Sequence, residues 1–316
     1  MSPKHLTRFA VPAVAILAAS ALAGCSSSTS SSGGSPLAPK SSSGSVVVGS
    51  DNFPESILLA DIYGQALAAK GIKVSYNLNI GSREVTYNLV KSGALTLKPE
   101  YNGALLAYLN KTAPQTSVAE VDAAITAKLP SNLEILNPAS AQDNDTLTLT
   151  KNEASTLGLT QGATITDFVG KLGTKPVTIG GAPEFQTRTE GIVGLENTYG
   201  LKSSQITFKS LDAGGPLTEK ALTSGEVDAG DLFTTDPTIS SGGLLTLVDD
   251  KGIFGVQNVL PLINKNSLSS AGVDALNAVD AKLDSATLLK LDVEMQVQKQ
   301  DPLTVANNWL KSESLS

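Results

Sequence analysis

Beyond residue 25 the chain carries two arginines, Arg83 and Arg188, and neither histidine nor cysteine; its one histidine is His5 and its one cysteine Cys25. Without imidazole or a free thiol in the body of the chain, Ser-His-Asp and Cys-His catalysis, His- or thiolate-ligated zinc and structural disulfides are excluded. The 28 glycines include no Gly-x-Gly, so neither a dinucleotide fingerprint nor a Walker loop is present. Gly-x-Ser-x-Gly and Ser-x-x-Lys are absent as well. A hydrolase working through paired carboxylates stays open, because 30 acidic residues always allow some pair. For the two guanidinium groups the chemistry is recognition, since each can grip a carboxylate bidentately as lysine cannot. The alternatives are local: a pair of Arg188 with Glu184, four residues before it on a helical spacing, and for Arg83 a pair with the adjoining Glu84 or a solvated loop.

Positioning such groups needs a scaffold, and 316 residues, 41% apolar and 17% charged, provide for about two domains. A net charge of −7 excludes the cationic field that drives nucleic-acid binding. Residues 46–48 predict a strand and 55–70 a helix, with Leu58, Ile62 and Ala66 at spacing four before Gly71. A strand over 74–80, a helix over 84–91, a short strand about Leu95 and Leu97 and an apolar segment 103–109 follow. The second set has strands at 146–150, 177–179, 227–232 and 244–248, with helices at 167–172, 187–199 and 217–223. A strand at 259–263 precedes a helical remainder in which Asp301-Pro302 supplies an N-cap and a first-turn proline.

This alternation predicts parallel strands joined by helices, arranged as two α/β lobes. If the last strand and helices return to the first lobe, the chain crosses twice, near 144–149 and near 257–262. In open α/β sheets a ligand sits beyond the carboxyl ends of the strands, where loops lead into helix N-termini. The candidate loops are therefore 51–53, 82–83, 184–188 and 233–236. Asp51 has an alternative role in capping the helix that begins near Glu55. Gly214-Gly215-Pro216 and Gly242-Gly243 are expected in tight turns, and Asp236-Pro237 at a turn or helix start.

The N-terminus has the layout of an address. Lys4 and Arg8 precede an apolar run, 9–22, that is too short to span a bilayer comfortably, and Leu22-Ala23-Gly24-Cys25 closes it with small residues. Those four resemble a bacterial lipobox, so 1–24 is expected to be a signal peptide and Cys25 the lipidated first residue of the mature chain. Residues 25–45, rich in Ser, Gly, Pro, Ala and Thr, are expected to form a flexible tether.

Seven strings in order carry a further likeness: Gly49-Ser50-Asp51-Asn52-Phe53-Pro54-Glu55-Ser56, Gly81-Ser82-Arg83-Glu84-Val85, Pro99-Glu100-Tyr101-Asn102-Gly103, Gly181-Ala182-Pro183-Glu184-Phe185, Leu211-Asp212-Ala213-Gly214-Gly215-Pro216-Leu217-Thr218, Asp231-Leu232-Phe233-Thr234-Thr235-Asp236-Pro237 and Gln257-Asn258-Val259-Leu260-Pro261-Leu262. From Val46 to about Trp309 the chain resembles the substrate-binding lipoproteins of ABC transporters for glycine betaine, choline, carnitine and related osmoprotectants. The resemblance implies an α/β, two-lobed periplasmic-binding fold of type II, with two crossovers between lobes. On that basis 46–145 plus 257–316 form one lobe and 146–256 the other.

The same resemblance implies a monomer without cofactor or metal that closes on a small solute and delivers it to the transmembrane subunits of an ABC permease. It would be held on the outer face of the cell membrane by its lipid anchor, and would not be an enzyme. Expected ligand contacts are Asp51, Asn52, Phe53, Ser82, Arg83, Tyr101, Asn102, Phe185, Gln186, Arg188, Phe233, Thr234 and Thr235. A quaternary ammonium donates no hydrogen bond and is held by aromatic faces, and Phe53, Tyr87, Tyr101, Phe185 and Phe233 are the rings near these loops. Here the chain departs from specialised betaine binders: Phe233 stands where high-affinity relatives commonly carry Tyr, and Gln186 and Ile192 follow Phe185 in place of Tyr. The depleted cage leaves a second expectation open, a less cationic polar or partly aromatic solute. Arg188 is favoured over Arg83 for gripping a betaine carboxylate.

Overall fold

Alternation in β1 shows how the first sheet is built: Val46 and Val48 enter one apolar cluster and Val47 another, so helices cover both faces. The computed structural model describes residues 45–111 and 117–316, the side chain of Asn266 aside. The leader 1–24, Cys25 and all of the tether except Ser45 lie outside the described residues.

The order is β1 (Val46–Gly49), α1 (Pro54–Ala69), β2 (Val74–Asn77), α2 (Arg83–Ser92), β3 (Leu97–Tyr101), α3 (Asn102–Leu109), α4 (Val118–Lys128) and β4 (Leu133–Ile135). Then come β5 (Asp145–Thr150), α5 (Lys151–Thr156), α6 (Ile165–Leu172), β6 (Val177–Gly181), α7 (Ile192–Asn197), β7 (Ile206–Ser210), α8 (Pro216–Thr223), β8 (Ala229–Phe233), α9 (Pro237–Ser240) and β9 (Leu244–Thr246). The chain ends with β10 (Val259–Asn264), α10 (Ser270–Asp280), α11 (Ser285–Asp292) and α12 (Pro302–Ser312).

Two five-stranded sheets result, ordered β2-β1-β3-β10-β4 and β7-β6-β8-β5-β9. The chain therefore leaves the first sheet after β4 and returns to it with β10. The strands that make these passages are not parallel to their neighbours, as simple alternation predicts. β5 runs antiparallel to β8 and β9, and β10 antiparallel to β3 and β4. A strand arriving from the other sheet enters from the opposite end, which reverses its direction. Where the two connecting segments run past one another they pair: Gln142 bridges Asn258, Asp143 N donates to Gln257 O at 3.1 Å, and Asn144 Nδ2 donates to Gly255 O at 2.7 Å.

Two expected elements change shape. The helix predicted over 187–199 is a 3₁₀ turn (Pro183–Gln186) followed by α7 alone. Gly191 lets the chain fold back between them, for a Cβ there would lie 2.0 Å from the Phe185 carbonyl oxygen. The strand expected about Leu95 begins at Leu97 and runs to Tyr101, carrying Lys98 and Glu100 into the interior. Helix α4 and strands β4 and β7 had no strong periodic signal. Asp301 does cap α12, accepting from Thr304 N at 3.1 Å, and Asp236 caps α9, accepting from Thr238 N at 2.8 Å. Among the described residues no helix is long and apolar enough to cross a membrane.

Candidate functional site

A line of buried charge underlies the site. Lys98, fully buried on β3, contacts Asp51 at 2.7 Å and Glu100 at 2.9 Å. Glu100 in turn receives Arg83, whose Nε lies 3.1 and 3.0 Å from its two oxygens and whose Nη2 lies 2.9 Å away. Thr86 Oγ1 donates to Asp51 at 2.5 Å. Asp51 thus serves this network, and the first turn of α1 has no side-chain cap. The strand-end loop 49–53, the start of α2 and the middle of β3 are locked together by one alternating set of charges. Glu100 shows the balance: burial alone would raise it, but Arg83 and Lys98 outweigh burial and hold it at about 2.

Above this layer lies a cleft lined from both sheets. Phe53, Tyr101 and Phe233 meet there; the Phe53 ring centroid is 5.4 Å from that of Phe233 and 6.1 Å from that of Tyr101. Gly214 allows the 212–216 turn to press flat on Phe233. Its φ is +56°, and a Cβ there would lie 2.4 Å from the ring. Phe185 lines the same cleft but is itself almost wholly buried.

Six carboxyl groups line this cleft, those of Asp51, Asp143, Asp145, Glu184, Glu190 and Asp231, against the guanidinium groups of Arg83 and Arg188. Both arginines are already paired. Arg83 turns to Glu100 rather than to Glu84, and Arg188 reaches across the cleft to Glu84, 3.0 and 3.1 Å away, rather than to Glu184. Burial first, and the neighbouring Asp145 second, push Asp231 well above the usual carboxylate range; burial likewise raises Asp145 and Glu190. A cation entering the cleft would draw these carboxyl groups back toward their charged form.

Nine of the thirteen residues expected at the ligand line the cleft: Asp51, Asn52, Phe53, Ser82, Arg83, Tyr101, Phe185, Arg188 and Phe233. Four do not. Asn102 is buried at the return crossover, where its Oδ1 accepts from Gly103 N and Asn258 N at 2.9 and 2.8 Å. Gln186 is exposed on its turn. Thr234, just after β8, bonds to the outbound crossover, accepting from Asn144 N at 2.9 Å, and Thr235 N donates to Asp143 at 2.9 Å. Thr235 Oγ1 also donates to Glu55 at 2.6 Å, joining the two sheets, while the second oxygen of Glu55 accepts from the Tyr101 hydroxyl. Sequence reasoning missed Asp143, Asp145, Glu190, Asp231 and Gln257. The available signal was Asp231, a carboxylate between Gly230 and Leu232 in a strand that is otherwise apolar. Among the described residues no group of His, Cys, Asp and Glu has the geometry to hold a metal ion.

Two lobes with helices on both faces of each sheet, two crossovers and a cleft lined from both sides define a solute-binding protein of the periplasmic type. The model of the substrate-binding domain of ABC-type glycine betaine transport systems matches residues 44–312, and the chain belongs to that family. It is 29% identical over 290 residues to the glycine betaine-binding protein YehZ of Escherichia coli, covering 87% of this chain and 92% of that one. With a glycine-betaine-binding protein of Pseudomonas aeruginosa it shares 26% over 284 residues, 85% and 88% of the two chains. Among solved structures, a glycine betaine/carnitine/choline ABC transporter protein has the same fold at a TM-score of 0.66 and 19% identity, covering 85% of this chain and 99% of the other. The protein is accordingly the extracytoplasmic solute-binding component of an ABC importer, and a binding protein rather than an enzyme.

Removing the charge at Lys98 leaves Asp51 and Glu100 buried without their shared cation. Lys98→Met is expected to lose about 3–5 kcal/mol in urea denaturation; a loss below about 1 kcal/mol would show that these carboxylates do not depend on it. The second expectation concerns pH. Burial raises Asp292 from 3.8 to about 7, despite bonds from Glu55 and Gln296. Its charged form costs stability in full above pH 7, and that cost disappears as pH falls toward 4. Glu100, depressed to about 2, contributes stability above about 4.5 that is lost below it. Calorimetric Tm should rise from pH 8 to about 5 and fall below pH 4, with Asp292→Asn flattening the first limb.

Proposed function

We propose that the solute is an osmoprotectant with a compact cationic head, choline or glycine betaine, held by closure of the lobes. The observation that carries this is the meeting of Phe53, Tyr101 and Phe233 from both sheets within a cleft whose charged lining is acidic in six groups and basic in two. Ring faces attract a cation that has no hydrogen to donate, and the carboxylates supply the surrounding field. Asp51, Asn52, Ser82, Arg83 and Phe185 complete the proposed contacts from loops that open into the cleft. Asn102, Gln186, Thr234 and Thr235 are better read as supports of the crossovers and of the 183–186 turn.

For a betaine, Arg188 is the group to exchange partners, leaving the half-exposed Glu84 for the ligand carboxylate. The closing unit is 46–145 plus 257–316 against 146–256. Support for a lipid anchor comes from the lipobox-like Leu22-Ala23-Gly24-Cys25 and the Ser-rich stretch after it.

Titration calorimetry with choline, glycine betaine, carnitine and ectoine tests the assignment. Phe233→Ala is expected to weaken quaternary ammonium binding by about 0.5–2 kcal/mol. Arg188→Ala should weaken glycine betaine far more than choline, by about 2–5 kcal/mol. No heat with any of the four at millimolar concentration would overturn the osmoprotectant assignment, and equal losses for both ligands would remove Arg188 from the carboxylate role.

A further inference from the structure

Two buried carboxyl oxygens in the cleft lack a hydrogen-bond donor, Oε1 of Glu190 and Oδ1 of Asp231. The two residues are only 6% and 2% exposed. The second oxygen of Glu190 accepts from Thr189 Oγ1 at 3.1 Å, and Asp231 shares a hydrogen bond with Asp145. Arg83 bonds to neither of them, its Nε and Nη2 being committed to Glu100. Asp231 packs closely over Gly181, where the Cβ of any other residue would lie 2.9 Å from its own.

A buried acceptor without a donor is costly, and native interiors rarely keep one without a use for it. The cleft is where a donor can arrive. A quaternary ammonium presents only C–H groups, so it leaves both oxygens desolvated and unmatched. A protonated primary, secondary or tertiary amine brings the same positive charge with N–H groups, and a charge-assisted N–H···O bond is the strong kind. Such a cation still presents an apolar, positively charged face to Phe53 and Phe233.

We propose that this cleft also receives small organic cations bearing N–H groups, which donate to Glu190 and Asp231, and that it binds them more tightly than their fully methylated counterparts. The proposal rests on the function above in taking the same cleft as the solute site.

A series that differs in methylation alone tests it: choline, N,N-dimethylethanolamine, N-methylethanolamine and ethanolamine, titrated into the full chain near pH 7, where all are cations. The expected result is that dimethylethanolamine binds about tenfold or more tightly than choline, the ratio one such hydrogen bond supports. For N-methylethanolamine, which carries one N–H for each carboxyl group, Glu190→Ala and Asp231→Ala should each lower its advantage over choline by about threefold or more. Thermal melting of both variants identifies either that fails to fold, and the other then decides. If choline binds as tightly as dimethylethanolamine, or the N-methylethanolamine advantage survives undiminished in a folded variant, the inference fails while the osmoprotectant assignment stands. If amines bind and choline does not, the inference holds and the quaternary assignment fails. If nothing in the series binds, both fail.

Discussion

Lys98 has no exposed surface, and its ammonium is shared between Asp51 and Glu100 while Glu100 also holds Arg83. An isolated charge in such a place would cost several kcal/mol, and the arrangement is tolerable only because charges alternate and nearly every polar atom is bonded. That demand fixes geometry. Asp51 belongs to the loop after β1, Arg83 to the first turn of α2 and Glu100 to β3, so pairing them sets three cleft-forming segments at defined distances. Neighbours of the network inherit that order: Asn52, Phe53, Ser82 and Tyr101 lie within two residues of its members.

The second lobe is held by a different device. Its contribution to the cleft comes from the 183–191 turn and the end of β8, where close backbone approaches at Gly191 and Gly214 take the place of ion pairs. Glu190 precedes Gly191 in the chain and Asp231 packs over Gly181, and each keeps one buried carboxyl oxygen without a partner. One wall is electrostatically complete before any solute arrives, and the other retains unused acceptors. A ligand therefore gains most from contacts it makes with the second wall, which also helps draw the lobes together.

How much of this could be read from residues alone depends on where the information resides. Strand β1, helix α1 and the loops following β1, β6 and β8 were legible, because apolar runs of period two or about four end at Gly, Pro or Asp and strand ends in α/β sheets are where loops open. The antiparallel strands were not legible, since direction is set by the order in which the chain visits the two sheets. Lys98 and Glu100 read as an interruption of a strand, and become interior only through each other and through partners 47 and 17 residues away. Asp143 and Asp145 sit on a crossover that linear reasoning treats as connection. Glu190 fell inside a helix predicted over 187–199, whose break at Gly191 is a tertiary effect of the Phe185 carbonyl.

Few direct bonds link the lobes across the cleft itself. The Arg188–Glu84 pair is 31% and 43% exposed at its side chains, and such a pair contributes only about 0–1 kcal/mol. The Thr235–Glu55 bond is buried and near the crossovers, where it fixes the pivot more than the far edges. A closed arrangement held this weakly stays in balance with open ones, and a solute shifts that balance only by the energy it gains from touching both walls at once. The aromatic contact of Phe53 with Phe233 spans the lobes, so a cation packed against it counts toward closure, as does any bond to Asp231 or Glu190. Release to a permease is then feasible for the same reason: with the solute gone, little remains across the cleft to keep it shut.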